Sequence, residues 1–293
     1  MRIASLLPAT TEIVGALGLA DELVAVTFEC DEPAGIRERA AVVVDTALPP
    51  GLDPAGIDAV VRDRAARGLP MYELDTAALA RLRPELILTQ DLCRICALPA
   101  ATVTDALAAI GCTADVVQHD PHTVPEVLAG IAEIARRAGR PAAGERLVAD
   151  LERRLAAIER TVADRARPRV LVLEWTDPPF LAGHWVPELV RRAGGEPVLG
   201  AEGGRSAATT WDELAAAPAD VIVVAPCGYG LDAAVAQAAT VRERLPGRRI
   251  VAIDSASYVV RAGPRLVDGI EALAWALHPD ALVSPPPGRV RPL

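Results

Sequence analysis

Five cysteines are the residues of this 293-residue chain with the clearest capacity for chemistry. Cys93 and Cys96 form a Cys-x-x-Cys pair in the stretch ILTQDLCRICALP, and Cys30 and Cys227 each follow an apolar, strand-like run. Thiolates are ligands for zinc, copper(I) and iron–sulfur clusters, and four of them close a tetrahedral site. We therefore expect these four residues to hold a metal ion or a cluster. The alternative is that Cys30 and Cys227 are small, buried apolar residues.

The spacing of the cysteines, their structural context and the expected compartment argue against three familiar roles. A zinc ribbon needs two close pairs, whereas here one pair is joined by two distant single residues. A thioredoxin-like pair belongs at a helix start in a different context. A disulfide framework does not suit a reducing compartment. We expect that compartment because MRIASLLPAT lacks the features of a signal peptide or lipid anchor, which predicts a cytoplasmic protein. A periplasmic or extracellular location requires a further segment before Met1.

Composition excludes several classes of function. The net charge of −9 and a pI near 5.1 argue against a nucleic-acid partner, which requires a basic face. All basic residues are arginine, which excludes a P-loop lysine and a Schiff base. No apolar run reaches the roughly 18 residues of a membrane span. The acidic residues show no spacing typical of acid–base catalysis, so we expect a protein that is not an enzyme unless a cluster gives it a redox role.

Strands and helices alternate along both halves of the chain. The strand-like phrases are RIASLL, ELVAVT, PELILTQ and TADVVQ in the first half, and PRVLVLEW, ADVIVVAP and RRIVAID in the second. Such alternation predicts an α/β fold with parallel sheets covered on both faces, and the two halves repeat one plan. The tail SPPPGRVRPL is predicted to be extended and poorly ordered.

Residues 123–165 interrupt this alternation with helical patterns. A helix over 141–165 would be about 37 Å long, enough to connect two lobes. We therefore predict an N-terminal α/β lobe at 1–122, connecting helices at 123–165 and a C-terminal α/β lobe at 166–293. The alternative is a helical hairpin packed on one lobe.

The carboxyl ends of the predicted strands indicate where a ligand would bind. Ligands of open α/β sheets bind outside the carboxyl ends of the strands, so two lobes would face each other across a cleft lined by those ends. His184, in AGHW, either contacts a ligand there or caps the following helix, and the second role is favoured. His119 and His122 are predicted to serve in a turn and a helix cap, a role favoured over metal binding.

Several phrases resemble the class III substrate-binding proteins of ABC importers. RIASLLPATTEIVGALGLADELVAVT is similar to the opening of that family, and HWVPELVRRAGGEPV, TWDELAAAPADVIVVAPCG and RAGPRLVDGIEALAWALHP resemble the second lobe of its cobalamin-binding branch. The resemblance implies two Rossmann-like lobes joined by one long backbone helix, with the ligand held between the lobes.

The resemblance also implies ligand-binding positions. They are Pro8, Ala9, Thr10, Asp91, Trp175, Phe180, His184, Trp185, Trp211, Tyr229, Tyr258 and Arg261. Glu174 is added because it ends an apolar strand at the predicted cleft, where it either binds a ligand or pairs with Arg261 or Arg265. The expected function is to hold a corrinoid such as cobalamin, or a related large cofactor, against aromatic side chains. The alternative is a metalloprotein with an iron–sulfur cluster or zinc at the cysteines. A third hypothesis is an importer component for cobalamin or iron chelates, with an ABC permease as partner if the protein is exported.

Overall fold

The computed structural model describes residues 1–90 and 113–293. The chain forms two compact units. Unit 1 comprises Met1–Pro121 and Leu128–Val148, and unit 2 comprises His122–Val127 and Ala149–Leu293. Each unit has its own sheet and its own hydrophobic core.

Unit 1 is built on a six-stranded, mainly parallel sheet. Its strands are β1 (Ile3–Ser5), β2 (Leu23–Thr27), β3 (Ala41–Thr46), β4 (Tyr72–Leu74), β5 (Leu86–Thr89) and β6 (Asp115–Gln118), in the order β4-β3-β2-β1-β5-β6. Only β4 runs antiparallel to its neighbour. The described helices between them are α1 (Pro8–Ala16), α2 (Ile36–Arg39), α3 (Pro54–Ala66) and α4 (Thr76–Leu82).

Local sequence explains where these helices begin. Pro8 opens α1 and Pro54 opens α3, positions at which the missing N–H of proline costs nothing. Asp53 accepts a hydrogen bond from the N–H of Gly56 at 2.8 Å and thereby caps α3. Asp75 caps α4 in the same way, through the N–H of Ala78 at 2.8 Å.

Two long helices contribute residues to both units. They are α5 (Val124–Arg137) and α6 (Pro141–Val162), so α6 ends three residues before the predicted limit of residue 165. Within unit 1 the two helices pack closely at Gly144, where an added Cβ would lie 2.4 Å from the Cβ of Ala135. In the part of the chain that the structure describes, no helix is both long and apolar enough to cross a membrane.

Unit 2 contains a seven-stranded mixed sheet. Its strands are β7 (Arg169–Thr176), β8 (Pro179–Leu181), β9 (Glu196–Pro197), β10 (Ala207–Ala208), β11 (Val221–Val224), β12 (Arg249–Ile253) and β13 (Val290–Pro292). The order is β10-β8-β7-β11-β12-β13, with β9 also paired to β7. The helices are α7 (Val186–Arg192), α8 (Trp211–Ala216), α9 (Leu231–Arg244), α10 (Ser255–Tyr258) and α11 (Leu266–Leu277).

The core of this sheet explains the continuous apolar runs in the sequence. Strands β7, β11 and β12 are parallel to one another. All four residues of β11, the VIVV run, are buried. A central parallel strand is covered on both faces, so it reads as uninterrupted Val and Ile rather than as an alternation. The prediction of an α/β fold with parallel strands is confirmed.

The C-terminal tail is extended at its end, as predicted, but the expectation of poor order there is wrong. Val290–Pro292 forms β13, an antiparallel edge strand on β12. Asp254 N donates to Arg289 O at 2.9 Å and Leu293 N donates to Ile250 O at 2.9 Å. The edge of β12 needs partners for its backbone groups, and an edge position tolerates Pro292. A high proline content is therefore not sufficient to predict disorder in this tail.

Candidate functional site

The carboxyl edge of the unit 2 sheet carries a pair of aromatic side chains. Trp175 lies near the end of β7, and Tyr229 lies in the loop after β11. Because the two parallel strands end at the same edge, the two rings come together, with centroids 5.6 Å apart and planes inclined by 55°. Both side chains are partly exposed. This tilted pair presents apolar surface at the edge where ligands of α/β sheets bind.

Backbone hydrogen bonds fix the loop that carries Tyr229. Cys227 N donates to Glu174 O at 3.0 Å, which ties the loop to the end of β7. The carbonyl of Tyr229 accepts from Ser255 N at 3.1 Å and Ala256 N at 3.0 Å, which ties it to the start of α10. Three neighbouring strand ends are therefore held as one rigid edge.

Phe180 lies on the same surface as Trp175. It is the register partner of Trp175 in the antiparallel pair of β8 and β7. Side chains of directly opposed residues share one face, with Cβ atoms about 4.5–5.5 Å apart. The indole N–H of Trp175 donates to Asp177 O at 3.0 Å, which orients the ring. Trp175, Phe180 and Tyr229 are named here the aromatic edge.

A carboxylate and a hydroxyl lie beside the aromatic edge. Glu174, the residue before Trp175, accepts a short hydrogen bond from the hydroxyl of Ser206, which precedes β10. Both side chains are partly buried. An apolar surface with a few fixed polar groups is the usual composition of a small-molecule site.

Two other aromatic residues that were predicted to bind the ligand make contacts within unit 2 instead. Trp185 is only 4% exposed, and its indole N–H donates to Val259 O at 2.7 Å. Trp211 begins α8, and its ring lies 5.9 Å from the guanidinium of Arg244 in the last turn of α9. Since α9 leaves the carboxyl edge after β11 and returns before β12, its last turn lies near the opposite edge. The structure does not bring Trp211 to the aromatic edge.

Tyr258 lies in a cluster of charged side chains. Its ring has the guanidinium groups of Arg265 and Arg289 at 5.6 and 5.3 Å from the centroid. Arg289 also pairs with Asp268 at 3.2 Å and Glu271 at 3.5 Å. Tyr258 thus contributes cation–π contacts to the packing of α10, α11 and the tail. Arg261, three residues after Tyr258, is partly buried.

The predicted ligand-binding residues of unit 1 are mostly buried. Pro8 opens α1 and is partly buried, while Ala9 is 4% exposed and Thr10 fully buried. The hydroxyl of Thr10 lies 2.6 Å from that of Ser5, and Thr11 donates to the Ser5 hydroxyl at 2.8 Å. The hydroxyls of these residues therefore satisfy one another inside unit 1.

Cys30 belongs to the same buried network. It is 0% exposed, and its Sγ lies 3.1 Å from Thr11 Oγ1 and 3.4 Å from Thr27 Oγ1. Cys227, in contrast, is partly exposed next to the aromatic edge. Cys93, Cys96 and Asp91 lie outside the described residues. Among the described residues no group of three or more His, Cys, Asp or Glu could hold a metal ion, so the four-thiol site stays a prediction.

His184 has an unusual environment. Its φ of +52° lies in the left-handed region, where residues other than glycine are uncommon. Burial lowers the pKa of His184 below its ordinary value of 6.5, and the Coulombic influence of His122 and Arg205 lowers it further. Its ring lies 5.8 Å from that of His122 and 5.9 Å from that of Trp185.

Comparisons with known proteins place this geometry in a family. A model described as "Periplasmic binding protein" matches residues 3–252, most of the chain. The chain belongs to the periplasmic binding protein family. This family supplies the substrate-binding proteins of ABC transporters, which bind small molecules and work with permeases. They are binding proteins rather than enzymes, so the expectation of a non-enzymatic role and the class III resemblance are both confirmed.

Solved structures of periplasmic binding proteins share the fold. A heme-binding protein from Pseudomonas aeruginosa has a TM-score of 0.71 and 21% identity, over 99% of this chain and 97% of its own. The apo heme-binding protein RhuT from Roseiflexus sp. RS-1 has 0.67 and 23%, over 96% and 99%. The vitamin B12 binding protein BtuF of Vibrio cholerae has 0.66 and 19%, over 94% and 96%. A comparison with curated proteins finds no match to the chain.

The sequence missed one residue of this periplasmic binding protein that the structure makes prominent. His122 was assigned to a turn and a cap, yet its ring lies beside that of His184. The separation of the two residues in sequence gives no periodic signal that would connect them. Only the placement of the His122–Val127 segment within unit 2 brings them together.

Proposed function

We propose that this periplasmic binding protein holds a large planar tetrapyrrole, with a corrinoid as first candidate and heme as second. The observation that supports the proposal is the aromatic edge of Trp175, Phe180 and Tyr229, which is partly exposed at the carboxyl edge of a parallel sheet. A flat macrocycle offers a wide apolar face, and stacking on aromatic rings is the favourable way to bury it.

The polar neighbours of the aromatic edge suit such a ligand. Corrinoids carry amide side chains at their periphery, which donate hydrogen bonds to carboxylates. Glu174 and Ser206 are already joined by a hydrogen bond, so the carboxylate is held in place before a ligand arrives. Preorganisation of this kind lowers the entropic cost of binding. The similar structures of a vitamin B12 binding protein and a heme-binding protein support this ligand class.

The test is a titration with cyanocobalamin and with hemin, followed by absorbance and by quenching of tryptophan fluorescence. Trp175→Ala should weaken binding by about 1.5–3 kcal/mol, roughly 10- to 100-fold, because an aromatic face loses its stacking partner. The matched control is Trp211→Ala, which removes another partly buried indole of unit 2 on the side chain of Arg244. The control should bind like the parent protein.

Two results would overturn the proposal. One is the absence of binding to both tetrapyrroles by a folded protein, and the other is equal affinity of the Trp175 and Trp211 variants. Elemental analysis of protein purified without oxygen adds a separate arm. Stoichiometric iron and sulfide that disappear in Cys93→Ser and Cys96→Ser variants would instead support the iron–sulfur alternative.

A further inference from the structure

Two histidine rings lie next to each other in unit 2, and neither belongs to the aromatic edge. The centroids of His122 and His184 are 5.8 Å apart, and the rings are inclined by 49°. His122 is exposed and His184 is partly buried, so solvent reaches the pair on the side of His122. Neighbouring imidazoles are a frequent arrangement at metal sites, because neutral imidazole is the commonest metal ligand of proteins.

The backbone around both histidines is held by hydrogen bonds to segments distant in sequence. Glu188 of α7, only 6% exposed, accepts a hydrogen bond from Val124 N at 2.7 Å, which anchors the segment that carries His122. His184 N donates to Gly204 O at 2.6 Å, and Gly203 N donates to His184 O at 2.8 Å. The two rings are therefore brought together by rigid segments rather than by mobile side chains.

The loop of His184 has little freedom to move. The preceding Gly183 lies so close to the neighbouring segment that an added Cβ would be 2.4 Å from Ser206 N. His184 itself adopts a φ of +52°, a conformation that costs about 1–3 kcal/mol for a residue other than glycine. Strain of this size persists where the surrounding structure imposes it, and it is frequent at ligand sites.

Each ring has a nitrogen suited to be a metal ligand. His122 Nδ1 lies 3.2 Å from Gly203 O, and since a carbonyl only accepts, this nitrogen carries the proton. The lone pair of His122 is therefore on Nε2. Metal-binding histidines characteristically donate their other N–H to a backbone carbonyl in this way. In His184, Nδ1 is buried and has no hydrogen-bond partner among the described residues.

We propose that His122 and His184 form a two-imidazole site for a divalent ion of the nickel, copper or zinc type. Metal–nitrogen bonds of about 2.0–2.1 Å place the ion roughly 3.2 Å from each ring centroid, so rings up to about 6.4 Å apart can share one ion. The observed separation of 5.8 Å is within that limit. Imidazole selects this class of ion over magnesium or calcium, which prefer oxygen ligands.

The charges around the pair modulate this site in opposite directions. Burial first, and then the Coulombic influence of His122 and Arg205, lower the pKa of His184, which favours the neutral form of the imidazole that a metal ion requires. The same arginine repels a bound cation. Glu126 accepts a hydrogen bond from His122 N at 2.6 Å and brings a negative charge near the pair. Water or an exogenous ligand completes the coordination.

The test measures Ni²⁺ binding by calorimetry in the 293-residue chain with Cys93, Cys96, Cys112 and Cys227 replaced by serine, which leaves only the fully buried thiol of Cys30. His122→Gln and His184→Asn each remove one imidazole, and asparagine tolerates the positive φ at position 184. Loss of one of two ligands should weaken binding by at least about tenfold, since even outer-sphere partners contribute 10- to 100-fold. Arg205→Gln should strengthen binding.

The matched control is His278→Gln. His278 also contacts a backbone carbonyl, Gly194 O at 3.1 Å, but none of the described ring contacts pairs it with a second histidine. It should leave Ni²⁺ affinity unchanged. The proposal is overturned if the parent binds no Ni²⁺, or if the His122 and His184 variants bind as well as the parent. Because His122 is exposed, its variant decides the question even if the one at position 184 does not fold.

Discussion

The two units end their central strands in opposite ways. In unit 1 the carboxyl edge around β1 and β2 is closed by Ser5, Thr10, Thr11 and Cys30, all of them fully buried and joined by hydrogen bonds. In unit 2 the corresponding edge of β7 and β11 is open and carries the partly exposed aromatic edge. The position of a residue at a strand end therefore does not determine whether it can meet a ligand. The burial of its side chain does.

The two cysteines at these edges give the largest measurable contrast. In variants that retain a single cysteine, Cys227 should react rapidly with a thiol reagent because it is partly exposed. Cys30 is 0% exposed, so it should react only when unit 1 opens. Unfolding equilibrium constants of small domains predict labelling at least about 1,000-fold slower. Similar rates for the two native proteins would mean that the edge of unit 1 is open, and equal rates in urea serve as the control.

The hydroxyl network of unit 1 should contribute measurably to stability. Thr11 donates to Leu7 O at 3.1 Å and to Ser5 Oγ at 2.8 Å from a fully buried position. Thr11→Val keeps the shape but removes a buried hydroxyl that contacts Ser5 Oγ, Leu7 O and Cys30 Sγ, which should lower the free energy of unfolding by about 0.5–1.5 kcal/mol. Urea denaturation measures this change.

Thr161 supplies the matched control for that experiment. Its hydroxyl makes the same contact with the carbonyl four residues earlier, Ala157 O at 2.9 Å, but on the exposed face of α6. Water replaces this hydrogen bond, so Thr161→Val should change stability by less than about 0.5 kcal/mol. Equal costs at both positions would show that burial is not what distinguishes the network.

The sequence predicted the central framework of both units because that framework is encoded locally. Long apolar runs such as RIASLL, PELILTQ and PRVLVLEW identify β1, β5 and β7, since strands buried on both faces need no alternation. Short strands at or next to the edges of the sheets lack such a signal. β4, β8 and β10 have two or three residues each, and β13 contains a proline. Their pairing is decided by neighbours distant in sequence.

The candidate site was only partly accessible from sequence for the same reason. Glu174, Trp175, Phe180 and Tyr229 could be predicted because they follow or end recognisable strands. Trp185 follows a strand too, yet its N–H is taken up by Val259 O, far along the chain. Residue type and strand order indicate which residues lie at the edge of a sheet. They do not reveal which of those side chains are buried in the interior of the unit and which remain exposed to a ligand.

The amino edges of the two sheets resemble each other where the carboxyl edges differ. Asp115 begins β6 in unit 1 and is paired with Arg137, while Asp220 precedes β11 in unit 2 and is paired with Arg169. In both pairs the guanidinium donates two hydrogen bonds to the carboxylate, a bidentate arrangement. The backbone N–H of Arg169 also donates to Asp220 at 2.8 Å. Hydrogen bonds from Arg137 lower the pKa of Asp115, and those from Arg169 lower the pKa of Asp220 from 3.8 to about 2.

These two pairs predict the smallest effect, a change in acid stability. A carboxylate whose pKa is lower in the folded state stabilises the fold above its unfolded pKa of 3.8, and this contribution is lost as the pH falls through the folded pKa. For Asp220 the window is therefore pH 3.8 down to about 2. Asp115→Asn and Asp220→Asn should each flatten the pH dependence of the urea midpoint within this range.

Salt separates this electrostatic contribution from simple loss of packing. Both carboxylates are largely exposed to solvent, so added salt should screen the pairs and reduce the difference between the parent and either variant. Asp21→Asn, which changes a side chain that is 99% exposed, should leave the acid profile as it is. If the Asp220 variant kept the parent profile at low salt, the amino edge of unit 2 would not depend on this pair. The similarity between the two amino edges would then be one of geometry and not of energy.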